Sequence, residues 1–270
     1  MPPDFRRSRE LSGMMRRLKE ARPPFLIGLA FLIIWEIGVR SFDVPHYILP
    51  GPLLIIETLW NDSALLMGSL WVTLEITIVA LLAAALGGAG LAFLISRTRW
   101  LERSLLPYAI IAQVTPIVAI APLIIIWINN TFIALVVCAW IVAFFPVLAN
   151  TIAGLKSADR NLHDLFKLYG ASRVQTQAYL EAPSALPYFL AGLRISGGLS
   201  LIGAVVAEFV AGSGGTASGL AFRILESGYR LQIPRLFAAL VILSLAGIAI
   251  YAALNWFSHW ALRHWYGGED

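Results

Sequence analysis

Six long apolar runs constrain this chain more than any other feature of its sequence. A transmembrane helix needs about 20 predominantly apolar residues to cross roughly 30 Å of hydrocarbon. Six segments have this character: residues 24–39, 66–95, 105–128, 132–155, 186–211 and 236–259. Hydrophobic residues make up 59% of the chain and charged residues only 13%, a balance too apolar for an ordinary soluble domain. The sequence therefore predicts an all-α membrane protein with six transmembrane helices.

The basic residues predict how these spans are oriented. Fifteen of the 20 Lys and Arg residues lie in the N-terminal segment and the loops on its side, while four lie on the opposite side. The positive-inside rule then places both termini, and the loop between spans four and five, in the cytoplasm. This asymmetry explains the basic balance without a nucleic-acid partner. The chain divides into a basic N-terminal segment, residues 1–22, and a transmembrane domain, residues 23–270.

The loop between spans four and five, residues 156–187, contains a short amphipathic helix. Four apolar residues follow the i, i+3, i+4, i+7 spacing of one helix face: Leu162, Leu165, Phe166 and Tyr169. Asp159 is placed as an N-cap, and Gly170 stands where a helix C-terminus favours a residue with positive φ. No soluble core is available to cover this face. It therefore lies either on lipid headgroups or in a groove of another protein.

A second helix is predicted directly after the first. Ser172 and Gln175 have the spacing of a capping box, which restarts a helix. Pro183 and Pro187 are expected to end that helix before the fifth span begins.

Polar residues within the spans are candidates for a translocation path. The third span carries three prolines that are expected to kink it, with Gln113 and Thr115 nearby, and the fourth span carries Asn150. Freed carbonyls and these side chains either line a cavity or accompany simple bending.

The fifth span adds a stripe of small residues, Gly203, Ala207 and Ala211, that lets another helix approach closely. Arg194 and Glu208 in the same span are too far apart to pair, at about 21 Å along a straight helix. Arg194 either snorkels to the interface or has a functional role, and Glu208 has either a structural or a gating role. The glycine-rich stretch 211–219 that follows is either a plain flexible loop or part of a gate at the outer mouth.

Catalytic chemistry is not visible in the sequence. The chain has no Gly-Lys dipeptide and hence no phosphate-binding P-loop, and its four histidines lack partners at metal-ligand spacing. Its one cysteine lies within a predicted span and forms no internal disulfide. We therefore expect neither enzymatic activity nor a metal or cofactor bound by this chain.

Several segments resemble binding-protein-dependent ABC importer permeases. The run Leu168-Tyr169-Gly170-Ala171-Ser172-Arg173, with residues 150–155, 183–188 and 192–194, is similar to the conserved loop of that family. The resemblance extends through residues 205–208 and 219–220, and back to residues 121–127. It is strongest to the nitrate, sulfonate and taurine branch, which includes importers of pyrimidine and riboflavin-like compounds.

This resemblance implies the membrane-spanning subunit of an ATP-driven importer in a bacterial inner membrane. The expected partners are a second permease copy, two ATPase subunits that bind ATP and Mg on the cytoplasmic face, and a periplasmic or lipid-anchored substrate-binding protein. The loop helix becomes the coupling helix, seated in a cleft of the ATPase. The residues implied in coupling are Asp159, Leu162, Asp164, Leu165, Phe166, Tyr169, Gly170, Ala171 and Ser172.

One departure from the family pattern concerns that coupling helix. Asp164-Leu165-Phe166 stands where the family usually has Glu-Ala-Ala, so two small residues are replaced by bulky ones that deepen the apolar face. The resemblance leaves the substrate and the choice between homodimer and heterodimer open. The alternative from another class is an ion-coupled secondary transporter or channel that works without an ATPase, using Glu208, Glu75 or Arg194 as ion-linked sites.

Overall fold

The computed structural model describes residues 23, 26–212 and 218–263, and every regular element within them is helical. The chain forms α1 (residues 26–41), α2 (Pro52–Asn61), α3 (Ser63–Ser96), α4 (Arg99–Val114), α5 (Ile117–Trp127), α6 (Thr131–Leu155), α7 (Arg160–Leu168), α8 (Arg173–Thr176), a π-helical turn (Gln177–Glu181), α9 (Ala182–Ala211), α10 (Leu220–Tyr229) and α11 (Ile233–Ala261). The all-α prediction is confirmed for these residues. The basic segment 1–22 lies outside the described residues.

The described residues form two compact units, and the smaller combines residues 26–63 with residues 227–238. Glu36 of α1 accepts hydrogen bonds from Arg40 Nε at 2.6 Å and from the backbone N–H of Leu53 at 3.1 Å. Asp62, at the end of α2, pairs with Arg235 at 2.6 Å. Polar contacts thus fix the ends of the helices within this unit.

The larger unit combines residues 64–212 and 218–226 with residues 239–263, and its core is the packing of α6 against α9. A Cβ added at Gly203 of α9 would lie 2.8 Å from the Cα of Ala139 in α6, so only glycine allows this approach. Ala207, one turn further along α9, is fully buried in the same cluster. The predicted small-residue stripe is therefore confirmed as a helix-packing surface.

The third predicted span is broken rather than gently kinked. Its two halves, α4 and α5, meet at an angle of 99° across Thr115 and Pro116. Thr115 is extended, with ψ of 121°, because a residue that precedes proline is disfavoured from the helical region. Pro107 and Pro122 lie inside α4 and α5 instead, so only one of the three prolines interrupts the helix.

Four helical segments among the described residues are long and apolar enough to cross a membrane: Ser63–Ser96, Thr131–Leu155, Arg173–Ala211 and Ile233–Ala261. The bent pair formed by α4 and α5 would supply a fifth. The first predicted span corresponds to α1. The count of six spans remains a prediction.

The expectation that Pro183 and Pro187 end the preceding helix is wrong. The chain stays helical from Arg173 to Ala211, with Pro183 in the first turn of α9 and Pro187 inside it. The π-helical turn ends at Glu181, two residues before Pro183. Its wider winding makes room for the proline ring, which in a regular α-helix clashes with the carbonyl four residues earlier.

Candidate functional site

The predicted loop helix forms where the sequence placed it, as α7. The Asp159 carboxylate caps its start by accepting a hydrogen bond of 2.7 Å from the backbone N–H of Asn161. Gly170 follows its end with φ of +70°, a left-handed conformation that strains residues with a side chain. The Ala171 N–H returns to the Phe166 carbonyl at 2.9 Å and closes the last turn. Both ends of this helix are therefore fixed by local hydrogen bonds.

The chain turns directly from α7 into the next helix through a capping box. The Gln175 N–H donates to Ser172 Oγ at 3.3 Å, and the Ser172 N–H donates to Gln175 Oε1 at 2.8 Å. The predicted capping box is confirmed. Because only residues 169–172 separate the two helices, α7 is held at the end of the long helical segment Arg173–Ala211.

Most apolar side chains of α7 are exposed in the isolated chain, and that of Phe166 is half-buried. None of its nine residues is buried, and Leu162, Leu165 and Tyr169 are 44%, 45% and 82% exposed. Asp164, the acid of the altered Glu-Ala-Ala run, is also exposed and pairs weakly with Lys167 at 3.2 Å. An apolar face with charged flanks at the end of membrane helices suits a protein groove.

Two side-chain contacts connect this loop to neighbouring spans. Lys156, at the end of α6, forms an ion pair with Glu102 of α4. Gln177, in the π-helical turn, donates its amide N–H to the Phe93 carbonyl of α3 at 2.9 Å. These two contacts link the loop directly to α3 and α4.

A cluster of hydrogen-bonded groups surrounds Glu208, near the end of α9 that is farther from α7. The carboxylate is buried, with 3% of the residue exposed. It accepts hydrogen bonds from Thr73 Oγ1 of α3 at 2.8 Å and from the Ala221 N–H of α10 at 3.0 Å. The Leu220 N–H donates to the same Thr73 hydroxyl oxygen at 2.9 Å. Glu208 thus joins α3, α9 and the first turn of α10.

Gly219 permits this cluster to form. A Cβ built at Gly219 would overlap the Glu208 carboxylate, so any side chain there would displace either the carboxylate or the start of α10. Most of the glycine-rich run, residues 213–217, lies outside the described residues. In the described part of the run, Gly219 is a close-packing position.

Comparison with known proteins decides the family. The model of the family described as "Binding-protein-dependent transport system inner membrane component" matches residues 84–264, two-thirds of the chain. The chain belongs to this family of importer permeases. The match includes the loop helix α7, Glu208 and the start of α10, while Thr73 lies before the matched residues.

Individual relatives agree with this assignment over most of the permease. It is 34% identical to the formylaminopyrimidine transport permease protein ThiX of Halalkalibacterium halodurans, over 89% of this chain and 95% of that protein. It is 37% identical to the riboflavin transport system permease protein RibX of Chloroflexus aurantiacus, over 83% and 82% of the respective chains. A solved structure of "an amino acid ABC transporter with histidines" aligns with a TM-score of 0.60 at 20% identity, over 74% of this chain and 96% of that one, and shows a shared fold.

The other predicted path residues do not form one cluster with Glu208. Arg194 donates from Nη1 to Asn255 Oδ1 of α11 at 3.1 Å, so it is held by a neighbouring helix rather than simply snorkelling. Asn150 and Thr115 donate to backbone carbonyls one turn earlier, those of Pro146 and Ile111. Gln113 is exposed. Within the described residues, the hydrogen bonds of Arg194, Asn150 and Thr115 connect none of these side chains to another.

Sequence reasoning missed the partners that complete these contacts. Thr73 lies in an apolar span with no local signal that marks it, and Asn255 and Gln177 are equally inconspicuous. A buried carboxylate predicts that some donor lies nearby, because an unpaired charge in a membrane helix is costly. Which helix supplies the donor depends on tertiary packing.

Proposed function

We propose that the permease carries a small heteroaromatic solute, of the pyrimidine or flavin type, into the cytoplasm. Its cytoplasmic face would engage two ATPase subunits through α7. The observation that carries the proposal is α7 itself, a helix capped at both ends whose apolar face is largely exposed in the described chain. Such a face favours a partner with a matching groove.

Coupling would be mechanical. ATP binding would close the ATPase dimer and draw the α7 helices of two permease copies together. The Lys156–Glu102 ion pair and the Gln177–Phe93 hydrogen bond would then carry that movement to α4 and α3. ATP and Mg would bind the ATPase subunits, and the permease itself would be non-catalytic.

The Glu208 cluster would hold α3, α9 and the start of α10 together at the outer mouth of the permease. It fixes the start of α10 to both α3 and α9, so movement of either span is transmitted to α10. A gate needs such a connection if ATP-driven rocking of the spans is to open the outer side. Support for this role is geometric, because the cluster stands at the end of α9 opposite to α7.

Orientation and assembly follow from charge and family. The excess of Lys and Arg on one side favours six spans with both termini in the cytoplasm. A substrate-binding protein would deliver the solute to the outer face, and two copies of this permease would form the translocation path. The heteroaromatic substrate is proposed because ThiX and RibX are named for a formylaminopyrimidine and for riboflavin.

Purification of the tagged permease from its own cells in mild detergent tests the assembly. We expect a stoichiometric ATPase partner, two copies of each subunit by mass, and ATP hydrolysis by the purified complex. A permease that purifies alone and without ATPase activity would contradict the proposal. Binding of labelled riboflavin and of aminopyrimidines to the co-purifying binding protein then tests the substrate class separately.

A further inference from the structure

A cationic cavity lies between α7 and the end of α3. It has a volume of about 600 Å³ and is lined from three directions. Ser96, Arg97 and Thr98 come from the α3–α4 junction, Lys167 comes from α7, and Arg173 begins the next helix. The cavity therefore lies between the coupling helix and a membrane span, on the side of α7 that carries Lys167.

The balance of charge in this cavity is positive. Arg97, Lys167 and Arg173 are opposed by Glu181, which faces His163 at 3.8 Å. Lys167 also approaches Asp164, but both side chains are more than 70% exposed and such a pair is weak. Among the residues that the structure describes, no ion pair involves Arg97 or Arg173. Two guanidinium groups are thus available to an anion.

Hydroxyl groups complete the donor set. Ser96 Oγ is buried and has no hydrogen-bond partner within the described residues. Thr98 Oγ1 accepts from the Leu101 N–H at 3.2 Å, which leaves its own proton free to donate. Guanidinium groups with adjacent hydroxyls match the oxygens of a phosphate, and arginine binds such groups in bidentate geometry.

The position of the cavity makes a lipid headgroup one source of the phosphate. Ser96 is the last residue of α3, one of the four apolar segments long enough to span a membrane. The cavity therefore lies at the end of a span, where the apolar run gives way to Arg97 and Thr98. Basic pockets at that level on the cytoplasmic side bind anionic headgroups.

We propose that this cavity is a phosphate-binding site, filled by the phosphate of an anionic lipid headgroup or by free inorganic phosphate. A phosphate between Arg97 and Arg173 bridges the end of α3 and the helix that carries α7. Occupancy then braces the coupling helix against the membrane domain. This proposal rests on the proposed function only for the membrane leaflet in which the site lies. Phosphate binding to the permease is measured without the ATPase.

Thermal unfolding of the purified full-length permease in detergent tests the site with three probes. We expect phosphatidylglycerol to raise the unfolding midpoint, phosphatidylcholine to leave it unchanged, and native mass spectrometry to show phosphatidylglycerol retained by the chain. The double variant R97Q/R173Q should weaken this binding about 30-fold, the loss expected from two basic residues at a lipid surface. The matched control R103Q/R263Q removes two arginines that do not line the cavity.

Inorganic phosphate separates the two sources of the ligand. If phosphatidylglycerol alone stabilises the permease, the ligand is a lipid. If inorganic phosphate also stabilises it and competes with the lipid, the site recognises the phosphate group itself. No stabilisation of the wild-type chain by either probe overturns the proposal, as does equal weakening by the control variant. Should R97Q/R173Q fail to fold, the wild-type comparison and the single variant Lys167→Gln decide the question.

Discussion

Glu208 shows how a membrane helix accommodates a buried carboxylate. Its donors come from two other elements, the Thr73 hydroxyl of α3 and the Ala221 N–H of α10. A polar group without a hydrogen-bond partner in an apolar interior destabilises the folded state. The donors therefore need the carboxylate as an acceptor, and the carboxylate needs the donors. The cluster is therefore a single unit in which the loss of one member leaves the others unsatisfied.

Replacement of Glu208 by alanine should destabilise the permease. The Ala221 N–H and the Thr73 hydroxyl would each lose an acceptor, at a cost of about 1–3 kcal/mol for each buried group. Thermal unfolding in detergent should show a lowered midpoint for Glu208→Ala and a smaller decrease for Glu208→Gln, which keeps an acceptor. Glu57→Ala, at an exposed carboxylate of α2, is the control and should leave the midpoint unchanged. Equal midpoints for Glu208→Ala and wild type would show that the cluster contributes no stability.

Gly219 should be coupled energetically to Glu208. An added methyl group meets the carboxylate, and overpacking of this kind costs about 1–3 kcal/mol. In the Glu208→Ala background the methyl group has space, so Gly219→Ala should cost less there than in wild type. Gly90→Ala is the control, because a Cβ there meets nothing within 4 Å. Additive effects in this double-mutant cycle would contradict the proposed contact.

The elements differ in how well the sequence predicts them. The ends of α7 were predictable because Asp159, Gly170 and the Ser172–Gln175 box act within a few residues. The prolines were less informative. Pro116 breaks a span while Pro183 does not, since the π-helical turn before Pro183 makes room for its ring. Tertiary contacts such as Gln177 to Phe93 have no local signal at all.

Phe166→Asp should uncouple ATP hydrolysis from uptake. A charge on the apolar face of α7 opposes its burial in an ATPase groove, while α7 keeps both caps. We expect the variant to reach the membrane at wild-type abundance and to lose most uptake and most co-purifying ATPase. Asn161→Asp, an exposed position on the same helix, adds the same charge and should retain both. Normal transport by Phe166→Asp would refute the role of this face.

Gln177→Leu tests how movement reaches the spans. The substitution removes the hydrogen bond to the Phe93 carbonyl but leaves the exposed face of α7 intact. The ATPase should therefore still co-purify, while uptake per ATP hydrolysed should fall severalfold. Gln175→Leu, which alters the capping box and not this link, is the comparison. An unchanged ratio of uptake to hydrolysis for Gln177→Leu would show that the Gln177–Phe93 hydrogen bond does not transmit the movement of α7 to the spans.

For the whole molecule, hydropathy predicted an all-helical membrane protein, and the structure and the family match confirm it. The packing could not be predicted from the sequence, because the composition of similar apolar spans does not indicate which of them pack together. Only small residues such as Gly203 marked where two helices approach. The 99° break between α4 and α5 also lies beyond what a hydropathy pattern specifies.

The energy source of transport tests the central claim most directly. The permease and its co-purified ATPase are reconstituted in liposomes together with the binding protein. Uptake of the binding protein's labelled ligand is then measured with and without ATP on the membrane face that carries α7. The account predicts uptake that requires ATP and persists when ionophores collapse all ion gradients. Uptake that proceeds without ATP and stops when the gradients collapse would contradict it, and would identify an ion-coupled transporter instead.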